Sequence, residues 1–247
     1  MKRCLFIMAL TASAVLSAAD GINYDAAFLK SLEWGSNHLA EIFLAKGADP
    51  DVLDEQGNSS LMLAARAGMA DLARMLLRRR ADPNHRNEEG YTALVYACES
   101  GSNVIAAMLL DSGAPAREPS PDKPMPLITA AYYGHPEVVR LLLSRGAGTD
   151  DRDKYGKTAL MFAAQQGHVA VVDLLIASGA DAGAISRAGV PVLSFAAWGG
   201  NIDIVRRLLE MGVKVNLTDA FGSTPLSTAI EQGHTAVADL LRRHGAR

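Results

Sequence analysis

Glycines spaced 33 residues apart constrain this chain more than any other feature of its sequence. Gly35, Gly68, Gly101, Gly134, Gly167, Gly200 and Gly233 form an unbroken series. A second series runs Gly57, Gly90, Gly156, Gly189 and Gly222, with Lys123 in its one gap, and a third runs Gly47, Gly113, Gly146, Gly179, Gly212 and Gly245, with Arg80 in place of the missing glycine. Three interleaved series in one register mean that a single structural unit is used repeatedly. A period near 33, with room for a turn and two short helices, marks a stacked array in which each unit buries its apolar face only against its neighbours.

Apolar spacing places the two helices. Leu61, Ala64 and Ala65 recur at helical intervals up to Gly68, where a left-handed turn costs glycine little. Leu72, Met75 and Leu76 form a second stripe, as do Val138, Leu141 and Leu142, and Val171, Leu174 and Leu175. The first helix is built from alanine, so the second can approach it closely. Linkers such as Ala48-Asp49-Pro50-Asp51 then turn the chain toward the next unit. Residues 24–47 form a first unit with a polar outer helix bearing Asp25, Lys30 and Glu33, and read as a cap. At the other end Arg242 stands where Leu77, Leu110, Leu143, Ile176 and Leu209 stand before it.

Thr158-Ala159-Leu160-Met161-Phe162-Ala163-Ala164 and, more closely, Thr224-Pro225-Leu226 resemble the Thr-Pro-Leu-His-x-Ala-Ala motif of the ankyrin repeat. The Leu position recurs at 61, 94, 127, 160, 193 and 226, and the Ala position at 64, 97, 130, 163, 196 and 229. The motif's His is absent, replaced by Met62, Val95, Ile128, Met161, Ser194 and Ser227. The resemblance runs through nearly the whole chain after residue 20. It implies an all-α solenoid of about seven helix-turn-helix units with hairpin-like loops, at about 24–53, 54–86, 87–119, 120–152, 153–185, 186–218 and 219–247.

Residues 1–19 differ in kind. Lys2 and Arg3 precede an apolar run from Cys4 to Leu16 and then Ser17-Ala18-Ala19, the pattern of a secretory signal peptide cleaved after Ala19. The run is shorter than the roughly 20 residues that span a bilayer. The expected location is the periplasm, with residues 20–247 as the mature domain. Removal of Lys2 and Arg3 would leave 22 basic against 27 acidic residues, a net charge of −5, which gives no bulk attraction for nucleic acid or anionic lipid. Cys98 would then be the only cysteine, so no intramolecular disulfide is expected, and its slot holds alanine in neighbouring units, which marks it as core.

The sequence carries no His-Glu-x-x-His, nucleophile elbow or phosphate-binding glycine loop. His135, His168 and His234 each follow a repeat glycine, so their spacing is that of the array; units about 8 to 10 Å apart hold imidazoles too far from one another to share a zinc ion. They are expected to cap the second helix or to face solvent. Ser120 and Lys123 match Ser-x-x-Lys, but Pro121 and Pro124 deny them a helical turn. Neither an enzyme nor a metal or cofactor site is expected. Prolines at 115, 119, 121, 124 and 126 predict a stiff extended loop in place of the usual hairpin. Arg78, Arg79 and Arg80 read as a solvated helix end, where positive charge suits the helix dipole.

What remains is recognition of another protein by what is expected to be a monomer. The resemblance implies contacts from the two residues before each repeat glycine and from the hairpins. The candidate binding residues are Trp34, Arg66, Glu99, Tyr132, Tyr133, Tyr155, Gln166, Trp198 and Phe221, in which exposed aromatics serve as anchors. Small size and export also suit an immunity protein that neutralises a periplasmic toxin, or an accessory or chaperone protein of a periplasmic stress enzyme; the neighbouring gene distinguishes these.

Overall fold

A computed structural model describes residues 23–118 and 120–247. The signal-peptide reading of residues 1–19, and Pro119 in the proline-rich loop, lie outside the described residues.

Each predicted unit contains one antiparallel helix pair: α1 (Tyr24–Glu33) with α2 (Asn37–Ala45), α3 (Ser60–Arg66) with α4 (Ala70–Arg78), α5 (Ala93–Glu99) with α6 (Asn103–Asp111), α7 (Pro126–Tyr133) with α8 (Pro136–Ser144), α9 (Ala159–Gln166) with α10 (Val169–Ala177), α11 (Val192–Gly199) with α12 (Ile202–Glu210), and α13 (Pro225–Glu231) with α14 (Thr235–Arg243). Odd-numbered helices stack on one another in one row and even-numbered helices in a second. No strand forms among the described residues; only isolated bridges join Leu53 to Ser59 and Ile185 to Pro191.

The motif residues have local jobs. Thr92, Thr158 and Thr224 each precede a first helix and accept a hydrogen bond from the backbone N–H of Val95, Met161 and Ser227, satisfying a donor that the helix cannot. The alanines let the stack close: Ala64, Ala97, Ala130, Ala163 and Ala196 are completely buried, with Leu61 and Leu160 beside them. Gly199 takes this furthest, because a Cβ there would meet the Gln165 carbonyl oxygen at 2.3 Å. Cys98 belongs to the same layer and is completely buried.

Second helices end in a repeated reverse turn. Ala48, Ala81, Ala114, Ala147 and Ala180 donate their N–H groups five residues back, to the carbonyls of Phe43, Leu76, Leu109, Leu142 and Leu175. The residue before each alanine adopts a left-handed backbone, a glycine everywhere except at Arg80, whose φ is 67°. Arg79, beside it, donates from its guanidinium to the Leu44 carbonyl of the preceding unit at 3.0 Å.

Two expectations are corrected. His135, His168 and His234 make no side-chain cap to the helices they precede. Each imidazole instead reaches back one unit, and its Nε2 donates to the carbonyl of Glu99, Tyr132 or Trp198 at 3.0 Å. The rings lie against Gly101, Gly134 and Gly200, so close that a Cβ on these glycines would sit 2.5 Å from the imidazole. The proline-rich loop, for its part, keeps the tip turn: Lys123 N–H donates to Ser120 O at 3.1 Å, just as Gly90 donates to Asn87 and Gly156 to Asp153. What it lacks is the bond across the turn's base that links Asp153 to Lys157, since Ser120 N–H is taken by Glu118.

Candidate interaction face

The odd-numbered helices end beside the hairpins of their own and adjacent units, and the side chains there line three linked grooves. The first, about 230 Å³, is lined by Tyr91, Glu99, Ile128, Tyr132, Tyr133 and Phe162. Tyr91 and Ile128 also line the second, about 280 Å³, which continues past Glu89 and Lys154 to Tyr155. Tyr155 opens the third, about 420 Å³, bounded by Lys157, Gln165, Phe195, Trp198 and Glu231. A larger cleft of about 660 Å³ lies among Ile185, Met211, Val213 and Leu217 and is lined by no aromatic ring.

Ring packing makes the first groove rigid. Tyr132 meets Tyr133 edge-on at 5.1 Å between centres and meets Phe162 edge-on at 6.0 Å. Tyr133 stacks on His135 at 6.5 Å, and its hydroxyl donates to Glu99 at 3.2 Å. Burial, reinforced by the negative charge of Glu99, raises the Tyr133 phenol above its ordinary range; burial with Glu89 and Glu99 does the same at Tyr91. Both phenols therefore remain neutral hydrogen-bonding groups. Histidine and aromatic ring thus share one scaffold: the imidazole that ties two units together also backs the exposed tyrosine.

Charges of both signs alternate along the face: Glu99 lines the first groove, Glu89, Asp122, Lys123, Asp153 and Lys154 line the second, and Lys157 lines the third with Asp219 and Glu231. Lys154 lies over Tyr155 at 5.3 Å, and the Arg187 guanidinium donates to the Lys154 carbonyl.

Of the residues expected to bind a partner, the structure gathers Glu99, Tyr132, Tyr133, Tyr155 and Trp198 along these grooves. All four of those rings remain more than two-fifths exposed, which leaves area for a partner to cover. Arg66 lies on the Tyr96 ring at 5.6 Å, one unit before them. Gln166 is exposed beside the grooves without lining them, its neighbour Gln165 taking that place. Trp34, in the first unit, and Phe221, 86% exposed on the last hairpin, line none of the three. Phe162 and Phe195 were missed. They lie a turn before the expected positions, in a slot of the 33-residue register that is aromatic at Tyr96, Phe162 and Phe195 and holds Thr129 between the first two, and that shared slot is the signal that finds them.

Nothing in this arrangement pairs a nucleophile with a base. Cys98 is enclosed, and burial pushes its thiol far above the usual range. His168 spends its Nε2 proton on the Tyr132 carbonyl. Among the described residues no three His, Cys, Asp or Glu side chains gather as a metal site would require, and no helix is long and apolar enough to cross a membrane.

Comparison with known proteins follows the same lines. No curated protein sequence matches the chain. Among solved structures it is similar to the human ASB11 ankyrin repeat domain, with a TM-score of 0.82 at 24% identity over 89% of this chain and 98% of that one, a likeness of fold. A model of ankyrin repeats matches in three copies, over residues 28–120, 113–186 and 185–247. No catalytic family is indicated, and this chain belongs to the ankyrin-repeat family.

Proposed function

We propose that this protein is a non-catalytic binding module, exported to the periplasm, that holds a partner protein against the face formed by its odd-numbered helices and hairpins. The observation that carries the reading is the row of part-exposed rings at Tyr132, Tyr133, Tyr155 and Trp198, the first two packed edge-on against each other. Such rings anchor interfaces because they bring much apolar area with little conformational entropy to lose. Export is supported by the basic, apolar and small-residue order of residues 1–19.

Tyr133→Ala, Tyr155→Ala and Trp198→Ala test the binding surface. Truncating a central anchor costs about 2 kcal/mol or more of binding energy, so a partner identified by crosslinking to the native protein should be lost from at least one variant while the melting temperature barely moves. Undiminished capture by all three folded variants moves the interface elsewhere, first to the proline-rich loop. Cell fractionation tests location independently: a stable cytosolic pool still carrying residues 1–19 overturns export.

A further inference from the structure

Cations of this chain already lie on several rings in and beside the grooves. The Arg66 guanidinium covers Tyr96 at 5.6 Å, Lys154 covers Tyr155 at 5.3 Å, and Lys157 lies 5.4 Å from the centre of Phe162 and 5.3 Å from that of Phe195. Among the described residues no cation lies over Tyr91, Tyr132 or Tyr133. Those three rings, with Phe162, wall the first groove, and Glu99 is the one charged side chain that lines it. Glu99 is half-buried and takes part in none of the ion pairs formed among the described residues. Its Oε1 accepts the Tyr133 hydroxyl, while His135, stacked on Tyr133, gives its Nε2 proton to the Glu99 backbone carbonyl and not to the carboxylate. Ring faces attract a positive group, and partial exclusion of water strengthens the pairing of that group with a carboxylate. A volume of about 230 Å³ falls below the roughly 300 to 1,000 Å³ of small-molecule pockets, so the groove suits a side chain of a partner better than a free ligand.

We propose that the first groove receives an arginine side chain projecting from the partner protein, its guanidinium lying against the tyrosine rings and pairing with the Glu99 carboxylate. The assignment rests on the binding reading above and adds the chemistry of what is bound. Arginine fits better than lysine, because a flat guanidinium stacks on a ring and meets a carboxylate through two N–H groups at once. The sign of the groove is also that of the whole chain, whose net charge is −3, so a basic partner is attracted both at a distance and at contact. The other two grooves set the limit of the site. Glu89, Asp122 and Asp153 stand with Lys123 and Lys154 in the second, and Asp219 and Glu231 with Lys157 in the third, so neither selects by charge alone. The face therefore asks for one basic side chain at one place, not for a basic stretch along its length.

The test uses acetylated, amidated heptapeptides, Gly-Ser-Leu-X-Leu-Ser-Gly, in which X is arginine, its neutral isostere citrulline, lysine or glutamate. They are titrated into the full chain by calorimetry at low ionic strength. The arginine peptide should bind about tenfold tighter than the citrulline peptide, the combined scale of a partly desolvated ion pair and a cation–ring contact. Glu99→Gln, which keeps an acceptor for the Tyr133 hydroxyl, should erase that preference. Glu137→Gln, exposed on α8 and lining none of the three grooves, should keep it. Equal binding of the arginine and citrulline peptides, tighter binding of the glutamate peptide, or a lysine peptide that matches arginine overturns the guanidinium assignment while leaving the binding face in place. A preference that survives Glu99→Gln, or no binding of any peptide, overturns the first groove as the seat; the binding face then stands or falls on the three alanine variants.

Discussion

Arg80 is the one non-glycine residue among those described with a left-handed backbone, and it occupies a slot that glycine fills in six other units. That conformation costs an L-residue with a Cβ about 1 to 2 kcal/mol, part of which glycine returns through its greater freedom when unfolded. Arg80→Gly should therefore stabilise the protein by about 1 kcal/mol, read as a higher urea midpoint with unchanged slope; a lower midpoint would mean that the arginine contributes a contact worth more than its strain. The sequence marked Arg80 as the exception, but a one-letter departure from a series does not say whether the backbone yields or the residue does. Here the residue yields, because Ala81 N–H still closes the turn onto Leu76 O at 3.1 Å. Cys98 carries a second consequence at this scale. Its buried thiol keeps its proton where the unfolded chain releases it, so above the ordinary thiol pKa of about 8.5 the unfolded state binds fewer protons and stability falls as pH rises. Cys98→Ala, a residue native to that slot in neighbouring units, should gain about 1.4 kcal/mol relative to the native protein between pH 7.5 and 9.5. A difference that does not change with pH would show that the folded state ionises the thiol.

Helices and hairpins are joined across units by the same few devices, and the histidines are the clearest. The sequence placed His135, His168 and His234 correctly in the register, yet their task depends on a carbonyl 36 residues earlier, which no local pattern encodes. Gly134 shows the coupling: its φ is 77°, and a Cβ there would collide with the His168 ring at 2.5 Å. Gly134→Ala should cost more than the roughly 1 kcal/mol of a left-handed alanine, and adding His168→Ala should return the collision part, giving a coupling of about 0.5 kcal/mol or more in a double-mutant cycle. Additive losses would place the ring elsewhere in solution. The proline-rich loop was misjudged for a reason equally local. Pro121 takes the second position of the turn and Pro124 follows its last, so neither occupies the position that must donate, and Lys123 N–H remains available to Ser120 O. The groove residues Phe162 and Phe195 share one slot of the 33-residue register, but Thr129 and Thr228 hold the same slot in other units, so the register alone does not separate a groove-lining ring from a core one.

Across the whole molecule, the helix pairs, their order and their alanine-lined seam followed from periodicity, whereas the joining of three grooves through the shared Tyr91, Ile128 and Tyr155 did not, since it depends on how hairpins of adjacent units meet in space. Leu160 is completely buried at the centre of the array, where units on both sides depend on it. Leu160→Ala should cost about 2 to 5 kcal/mol, the range for a buried leucine, and in a stack held by neighbour contacts it should broaden the urea transition as the two flanks begin to unfold separately. A sharp, merely shifted transition would mean that the array behaves as one cooperative block. Among the described residues, no hydrogen bond joins positions more than 38 apart. Such a chain has a low contact order despite its length, so closing its loops costs little entropy and asks nothing of residues far downstream. Each unit can therefore finish folding soon after its successor appears, whatever its distance from the C-terminus. For a polypeptide threaded through a narrow pore from its N-terminal end, that means vectorial assembly: the earliest units can be native on the far side while the last are still in transit.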